Sequence, residues 1–239
     1  LTGRGLSLTK TLVVVLWSIS TAALAQTPEV LHDWWRADGE VYAMEFDTAA
    51  GKVYIGGVLH YVGPPCKYLS VMDTSTGVPD MSIAHPNRPV WCGVSDGADG
   101  LFIGGEFSKV GGISRPYIAH LNAAGQLITS WAPTVGGQVR AMCRAGNTLY
   151  VHGYFGTVNG EQRDRFCALD ATTGDLLPWA CSVTTPFGIH EMMEHDGVVY
   201  VGGYFDQVNG ATRHNLVALN GLTGANTAWA PDPDDDVYS

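Results

Sequence analysis

The chain has 239 residues, of which 46% are hydrophobic and 15% are charged, and its formal net charge at pH 7 is −10. This acidity argues against nucleic acid or an anionic membrane as the partner, because both bind proteins through basic surfaces. The length is sufficient for a well-buried core.

Residues 1–25 are predicted to be a secretory signal peptide. Two basic residues, Arg4 and Lys10, precede an apolar run at 11–19, and Ala23-Leu24-Ala25 forms a small-x-small cleavage site. The apolar run is too short for a comfortable membrane span. We therefore expect a secreted, periplasmic or cell-surface protein without a membrane span.

The mature domain, 26–239, is dominated by a repeat of about 49 residues. Its four copies cover residues 41–89, 90–138, 139–188 and 189–236, with partial strands at 29–40 and 237–239. A repeat of this length indicates one supersecondary unit that buries its faces against its neighbours.

Each copy contains four short runs with the alternating pattern of a β-strand. In the last copy they cover residues 189–194, 198–207, 215–220 and 226–230. The turns between them carry Asp196-Gly197, Asn209-Gly210 and Thr223-Gly224, and Asn-Gly suits a tight hairpin. The sequence therefore predicts an all-β chain, a β-propeller built from four-stranded antiparallel blades.

Two strings carry a resemblance to a known family. VYVGGYFDQVNGATRHNLVALN (199–220) and LYVHGYFGTVNGEQRDRFCALDATTG (149–174) are similar to the bacterial delta-60 repeats, with a kelch-like Gly-Gly pair. The resemblance implies a secreted or surface propeller and implies no established chemistry. The first copy departs from the pattern, because Gly-Pro-Pro-Cys at 63–66 stands where Asn-Gly and Arg belong.

The two partial strands predict a partial ring. Trp34 and Trp35 mark segment 29–40 as a fourth strand without its first three, and 237–239 begins a new first strand. Because the last copy already has its own fourth strand, we expect the natural gene to continue beyond Ser239.

Residues that recur at one repeat position are expected to serve the scaffold. Arg115, Arg163 and Arg213 are such a set, so we expect structural hydrogen bonds from them. Residues 93–97 match the string G-x-S-x-G, but a nucleophile elbow requires a strand followed by a helix. Here the string falls on a turn between two strands, and we do not predict a catalytic serine.

Residues 190–195 read His-Glu-Met-Met-Glu-His, which differs from the zinc-protease motifs because Glu194 replaces the second histidine. The string lies on a predicted strand, where His190 and Glu194 would share one face and Glu191 and His195 the other. We predict no zinc site. If the first strands line a central channel, His190, Glu191 and Glu194 are candidates to face a ligand.

Four aspartates, Asp232, Asp234, Asp235 and Asp236, form an acidic loop. The spacing lacks the glycine and the distal glutamate of an EF-hand loop, so a solvated turn is the simpler interpretation. We predict no cofactor, and calcium at Asp232, Asp234 and Asp236 is the metal that these residues would favour.

The five cysteines are Cys66, Cys92, Cys143, Cys167 and Cys181, and none recurs by repeat position. An odd number in an exported protein leaves at least one thiol unpaired within the chain. We expect zero to two disulfides and assign no pairing.

The favoured function is a non-catalytic extracellular propeller for ligand binding or surface display, with a glycan, a peptide or another protein as partner. The alternative is a propeller enzyme of the glycoside hydrolase, lyase or quinoprotein type. Its candidate residues are the non-recurring Glu45, His190, Glu191, Glu194 and His195. A third interpretation is a passive spacer that carries a further domain.

Overall fold

A computed structural model describes residues 39–48, 51–59, 67–183, 188–231, 233–235 and 237. These ranges contain strands, turns and irregular segments, which confirms the all-β prediction. No helix within them is long and apolar enough to cross a membrane. The predicted signal peptide, 1–25, and all but the last two residues of the partial strand at 29–40 lie outside the described residues.

Eighteen strands are formed in the described ranges. The first nine are β1 (Glu40–Asp47), β2 (Lys52–Val58), β3 (Leu69–Asp73), β4 (Val90–Ser95), β5 (Leu101–Gly105), β6 (Lys109–Val110), β7 (Ile113–Ser114), β8 (Ile118–Leu121) and β9 (Gln138–Ala145). The others are β10 (Thr148–Tyr154), β11 (Thr157–Val158), β12 (Glu161–Gln162), β13 (Phe166–Asp170), β14 (Gly188–His195), β15 (Val198–Tyr204), β16 (Gln207–Val208), β17 (Ala211–Thr212) and β18 (Leu216–Asn220).

The strands form four antiparallel three-stranded sheets and three short hairpins. The first sheet has the order β1-β2-β3, the second β4-β5-β8, the third β9-β10-β13 and the fourth β14-β15-β18. The hairpins β6-β7, β11-β12 and β16-β17 connect the middle strand of a sheet to its third strand. The turns of β11-β12 and β16-β17 use Asn159 and Asn209 with positive φ, as Asn-Gly turns require, and the turn of β6-β7 uses Gly111 and Gly112.

The predicted fourth strand is reduced to a single bridge to the third strand of its own sheet. The bridges join Met72 to Pro79, Leu121 to Leu127, Leu169 to Leu176 and Leu219 to Asn226. In the second and third copies the segment then leaves the sheet, because Trp131 and Trp179 donate to backbone carbonyls of the next sheet. In the second and fourth copies a proline follows, Pro133 and Pro231, which cannot donate to a ladder. The predicted second strand at 198–207 is also split, since β15 ends at Tyr204 and β16 resumes at Gln207.

Each first strand contains a β-bulge at the second residue of its copy. The pairing register of the Cα atoms skips that residue in all four sheets. The skipped residues are Tyr42, Trp91, Arg140 and His190, which we call the bulge row.

Consecutive sheets pack through their first strands, with β1 against β4, β4 against β9 and β9 against β14. The Gly-Gly pair of the middle strand allows this close approach. A Cβ on Gly56 would come within 2.8 Å of the Cγ1 atom of Val90, and one on Gly104 would collide with Val139. Each of the three main hydrophobic clusters therefore combines side chains from two consecutive sheets.

Candidate functional site

Three members of the bulge row, Tyr42, Trp91 and Arg140, form a continuous stack across three sheets. The ring centroids of Tyr42 and Trp91 are 4.4 Å apart, and the Cζ atom of Arg140 lies 4.1 Å from the centroid of the Trp91 ring. The same guanidinium lies 5.1 Å from the ring centroid of Tyr154, at the end of β10. The order is Tyr42, Trp91, Arg140, Tyr154, with a cation held between two aromatic faces.

The local sequence explains why these side chains come together. A bulged residue is left out of the ladder, and the bulge redirects its side chain. Val41, Val90 and Val139 precede three of the bulged residues, so the stack is built on equivalent backbone positions. The bulged side chains themselves do not recur, which separates them from the residues that maintain the scaffold.

Polar groups orient Arg140 at one side of the stack. Arg140 Nη2 donates to Gln138 Oε1 over 3.0 Å, and Gln138 Nε2 donates to Glu106 Oε2 over 3.3 Å. Arg88 Nη1 lies 4.0 Å from Glu106 Oε1. The side-chain amide of Gln138 therefore positions the guanidinium of Arg140, and the carboxylate of Glu106 in turn positions that amide.

The stack is open to solvent at both ends. Tyr42 and Tyr154 are exposed, while Trp91 and Arg140 are half-buried. This arrangement places aromatic rings and a fixed cationic donor on one surface.

His190 continues the row on the fourth sheet, where its side chain is exposed. Tyr204 lies opposite Gly188 in the register, as Tyr154 lies opposite Gln138 one copy earlier. The predicted candidate His190 thus belongs to the same structural position as Trp91 and Arg140.

The other two candidates on β14 have different environments. Glu194 accepts a hydrogen bond of 2.7 Å from the backbone N–H of Gly197, so it caps the β14–β15 turn. Glu191 is exposed at the strand surface, yet partial burial of its carboxylate raises its pKa. The bulge at His190 interrupts the strand alternation, so His190 and Glu194 are not related by the simple alternation that the sequence predicts.

The remaining predicted positions are distributed over the molecule. Asp234 is exposed, whereas Asp232 and Asp236 lie outside the described residues, so calcium there stays a prediction. No group of three metal-ligating side chains occurs within the described ranges. Glu45 lies half-buried on β1, where burial raises its pKa.

Four cysteines are free thiols, namely Cys92, Cys143, Cys167 and Cys181, and Cys66 lies outside the described residues. Burial raises the pKa of Cys143 and of Cys167 to about 12. It also raises the pKa of Cys92 and of Cys181. These thiols remain protonated at neutral pH and are poor nucleophiles.

The G-x-S-x-G string lies at a strand-to-strand turn, where Ser95 ends β4 and its Oγ accepts a hydrogen bond from the N–H of Gly97. The next residue, Asp96, forms a pair that the sequence did not suggest. Its Oδ2 lies 2.8 Å from His120 Nε2, and its Oδ1 accepts from the N–H groups of Ala98 and Gly100.

The Asp96–His120 pair is a structural brace. The His120 ring stacks on Phe102 at 4.0 Å and meets the edge of Trp131 at 5.7 Å. Burial opposes ionisation of Asp96, but the hydrogen bonds from His120 and the turn outweigh it and lower the pKa of the carboxyl. Valine or alanine stands at the position of His120 in the other sheets, which is the sequence signal that could have found it.

The recurring arginines bind backbone. Arg115 donates to the carbonyl of Thr129, and Arg163 and Arg213 donate to the carbonyls of Gln162 and Thr212 in their own hairpins. These contacts agree with the structural role expected of recurring residues.

Comparison with known proteins gives one family match. The family model described as "Domain of unknown function (DUF5122) beta-propeller" matches residues 97–127 and 195–221, which are equivalent parts of two copies. A search of curated proteins found no match. Among solved structures, the chain is similar to the computationally designed Ika4 protein, with a TM-score of 0.47 and 14% identity over 77% of this chain and 95% of that chain.

The family match falls on the second and fourth sheets, in the strands and turns that the repeat defines. Four sheets with one topology pack side by side through their first strands. Together these findings identify the chain as an all-β protein of the β-propeller class, with similarity to the DUF5122 propeller family.

Proposed function

We propose that the chain is an exported, non-catalytic propeller that binds a glycan on the bulge row. The observation that supports this proposal is the stack of Tyr42, Trp91, Arg140 and Tyr154. Its three bulged side chains do not recur between copies, although they lie on a recurring backbone, whereas Tyr154 recurs as Tyr204. The signal-peptide pattern and the resemblance to delta-60 repeats support export.

The chemistry of the row favours a saccharide. Aromatic rings offer flat apolar faces for the C–H face of a sugar ring, and a guanidinium donates to hydroxyl or carboxylate oxygens in fixed geometry. The two exposed tyrosines lie on either side of the half-buried Trp91 and Arg140, so ring faces and a donor alternate along one surface.

Several groups that could support catalysis have structural contacts or are buried. The carboxylate of Glu194 caps a turn, Asp96 pairs with His120, and the described thiols are protonated by burial. This distribution supports a binding role over the enzyme alternative.

The proposal is tested by calorimetric titration with two probes, hexagalacturonate, which carries carboxylates, and cellohexaose, which is neutral. We expect W91A to weaken binding by at least about tenfold through loss of the stacking face. R140Q should weaken hexagalacturonate more than cellohexaose, because only the former offers carboxylates.

The control variant is R213Q, which removes a hairpin arginine outside the row. It should leave binding unchanged. Saccharide binding that W91A does not affect would move the site elsewhere, and binding of neither probe would reject the glycan. A peptide selected by display whose binding depends on Trp91 would then assign the row to a protein partner.

A further inference from the structure

Arg140 lies inside the series of sheets. Its strand, β9, packs between β4 of the second sheet and β14 of the fourth sheet. Its guanidinium is flanked by Trp91 of the second sheet and by Tyr154 of its own sheet. The surroundings of Arg140 are therefore set by described strands on both sides of it.

Few of the donors of Arg140 are used. A guanidinium is a fork of N–H donors and has no acceptor. Within the described residues, Arg140 donates one hydrogen bond, from Nη2 to Gln138 Oε1, and its Nε atom is buried without a hydrogen-bond partner. No carboxylate of the described ranges forms an ion pair with it, although the chain has 23 acidic residues against 13 basic ones. Arg140 is therefore a half-buried cation whose contacts are aromatic rings and a neutral amide.

Two carboxylates contact groups of the site, and each accepts a hydrogen bond from a neutral donor. Glu40 accepts a hydrogen bond from the hydroxyl of Tyr42. Glu106 accepts one from the side-chain amide of Gln138 over 3.3 Å. Neither carboxylate therefore neutralises Arg140 by direct contact.

Gln138 separates Arg140 from Glu106. The amide oxygen of Gln138 accepts from Arg140, and its amide nitrogen donates to Glu106. The other carboxylate oxygen of Glu106 lies 4.0 Å from Arg88 Nη1, so Glu106 faces a different cation. A glutamate at position 138 would have almost the same shape as glutamine and would pair with Arg140 directly. The amide instead orients the guanidinium and leaves its charge unpaired.

A cation in this state favours an anionic ligand. A guanidinium forms stronger hydrogen bonds to a carboxylate than to a neutral hydroxyl, and its planar fork matches the carboxylate. The rings of Trp91 and Tyr154 exclude water from part of its surface, which strengthens electrostatic attraction there. The net charge of −10 repels anions at long range, so selection of an acidic ligand depends on direct contact with Arg140.

We propose that the bulge row selects acidic saccharides, with the carboxylate of a uronic acid residue bound by Arg140 and its sugar ring beside the exposed Tyr154. This inference rests on the proposed function, because it names the ligand class of the same site. Gln138 is a positioning residue, since it holds the guanidinium without neutralising it.

The experiment is calorimetric titration of the full chain with hexagalacturonate and with its fully methyl-esterified form. The two ligands have the same backbone and stereochemistry and differ in the charge of the acid group. Wild type should bind the acid at least about tenfold more tightly than the ester. R140Q should remove this preference.

The decisive variant is the exchange E106Q/Q138E, which preserves composition and net charge but places a carboxylate directly against Arg140. This internal counterion should reduce the preference for the acid to less than about threefold. E106Q alone should retain the preference, because Arg140 gains no counterion. The matched control is E161Q/Q162E, which exchanges the same two residue types on the exposed β12 strand and should retain the preference.

The outcomes separate this inference from the glycan proposal. If W91A weakens binding of the ester and wild type binds the acid no more tightly, the acid inference fails and the glycan proposal stands. If neither ligand binds, both fail. A preference that survives E106Q/Q138E, or that E106Q alone removes, would also overturn the acid inference. Thermal unfolding checks each variant, and if the exchange unfolds the chain, a preference that survives R140Q overturns the inference instead.

Discussion

Trp179 donates its indole N–H to the carbonyl of Asn220, 41 residues further along the chain and in the next sheet. The side chain lies at an interface whose apolar cluster contains residues of the third and fourth sheets. The third and fourth sheets are therefore held together by a hydrogen bond at the edge of their interface and by apolar contacts along it.

We expect W179F to lower the free energy of unfolding by about 1 kcal/mol or more through loss of this hydrogen bond. W179A should cost about 3–5 kcal/mol, because it also empties a buried site. W229F is the matched control and should change monomer stability little, since that ring is half exposed. Urea unfolding measures all three, and equal costs for W179F and W229F would contradict the assignment.

His152 makes the stability depend on pH. It stands where the other sheets have glycine, it is buried, and burial lowers its pKa to about 3. The folded chain therefore resists protonation that the unfolded chain accepts below about pH 6.5. Above that pH the free energy of unfolding has its full value as far as His152 is concerned. As the pH falls toward 3, the free energy of unfolding decreases by up to about 1.4 kcal/mol for each pH unit.

H152G should remove this part of the pH dependence, whatever its effect on stability at pH 8. G156A is the control, because it changes no titratable group and no heavy atom lies within 4 Å of its Cβ position, so the slope should be unchanged. Unfolding free energies between pH 4 and 8 measure both variants. An unaltered slope in H152G would show that another group titrates.

In Asp96 the fold favours the charged form of the side chain, whereas in His152 it favours the neutral form. Hydrogen bonds outweigh burial and lower the pKa of its carboxyl in the fold, so its stabilisation is present above the unfolded value near 4 and is lost as pH falls through the lower folded value. D96N should cost about 1–3 kcal/mol at pH 7, because His120 and the turn lose a charged acceptor. D164N replaces an exposed carboxylate and should have little effect. Similar losses in both variants at pH 7 would argue against the brace.

Close packing at the Gly-Gly pair predicts a steric result. An alanine Cβ at Gly104 would collide with Val139 and come within 2.7 Å of Cys92 Sγ, so G104A should cost about 1–3 kcal/mol. G156A is the control, since no heavy atom lies within 4 Å of its Cβ position. The double variant G104A/V139A should recover part of the loss. Thermal unfolding measures the series, and a neutral G104A would mean that consecutive sheets are not in close contact there.

The sequence predicted the elements that depend on local chemistry. Alternating runs indicated the three regular strands of each copy, and Asp-Gly and Asn-Gly located turns at which Asp196 and Asn209 have positive φ. The fourth strand was overestimated. The segment does have an alternating pattern, but Trp179 donates its hydrogen bond to the next sheet. This contact forms only when two copies are packed together, so it cannot be read from one copy.

The bulge row was largely missed for a related reason. A bulge depends on the register between two strands, and no residue within β4 or β9 signals that Trp91 or Arg140 is unpaired. His190 was singled out by its own neighbours, but its structural equivalence to Trp91 and Arg140 comes from aligning the strand pairs. A comparison of the second residue of each copy would have found the set.

The bulges also separate the proposed binding positions from the residues that build the sheets. Because Tyr42, Trp91, Arg140 and His190 occupy positions that the Cα pairing register skips, each can be exchanged without removing a strand-to-strand pair. Four positions on one surface can thus be randomised together while the repeat that builds the sheets stays intact. This propeller is accordingly a scaffold on which a combinatorial library could be displayed, with new specificities selected at those four sites.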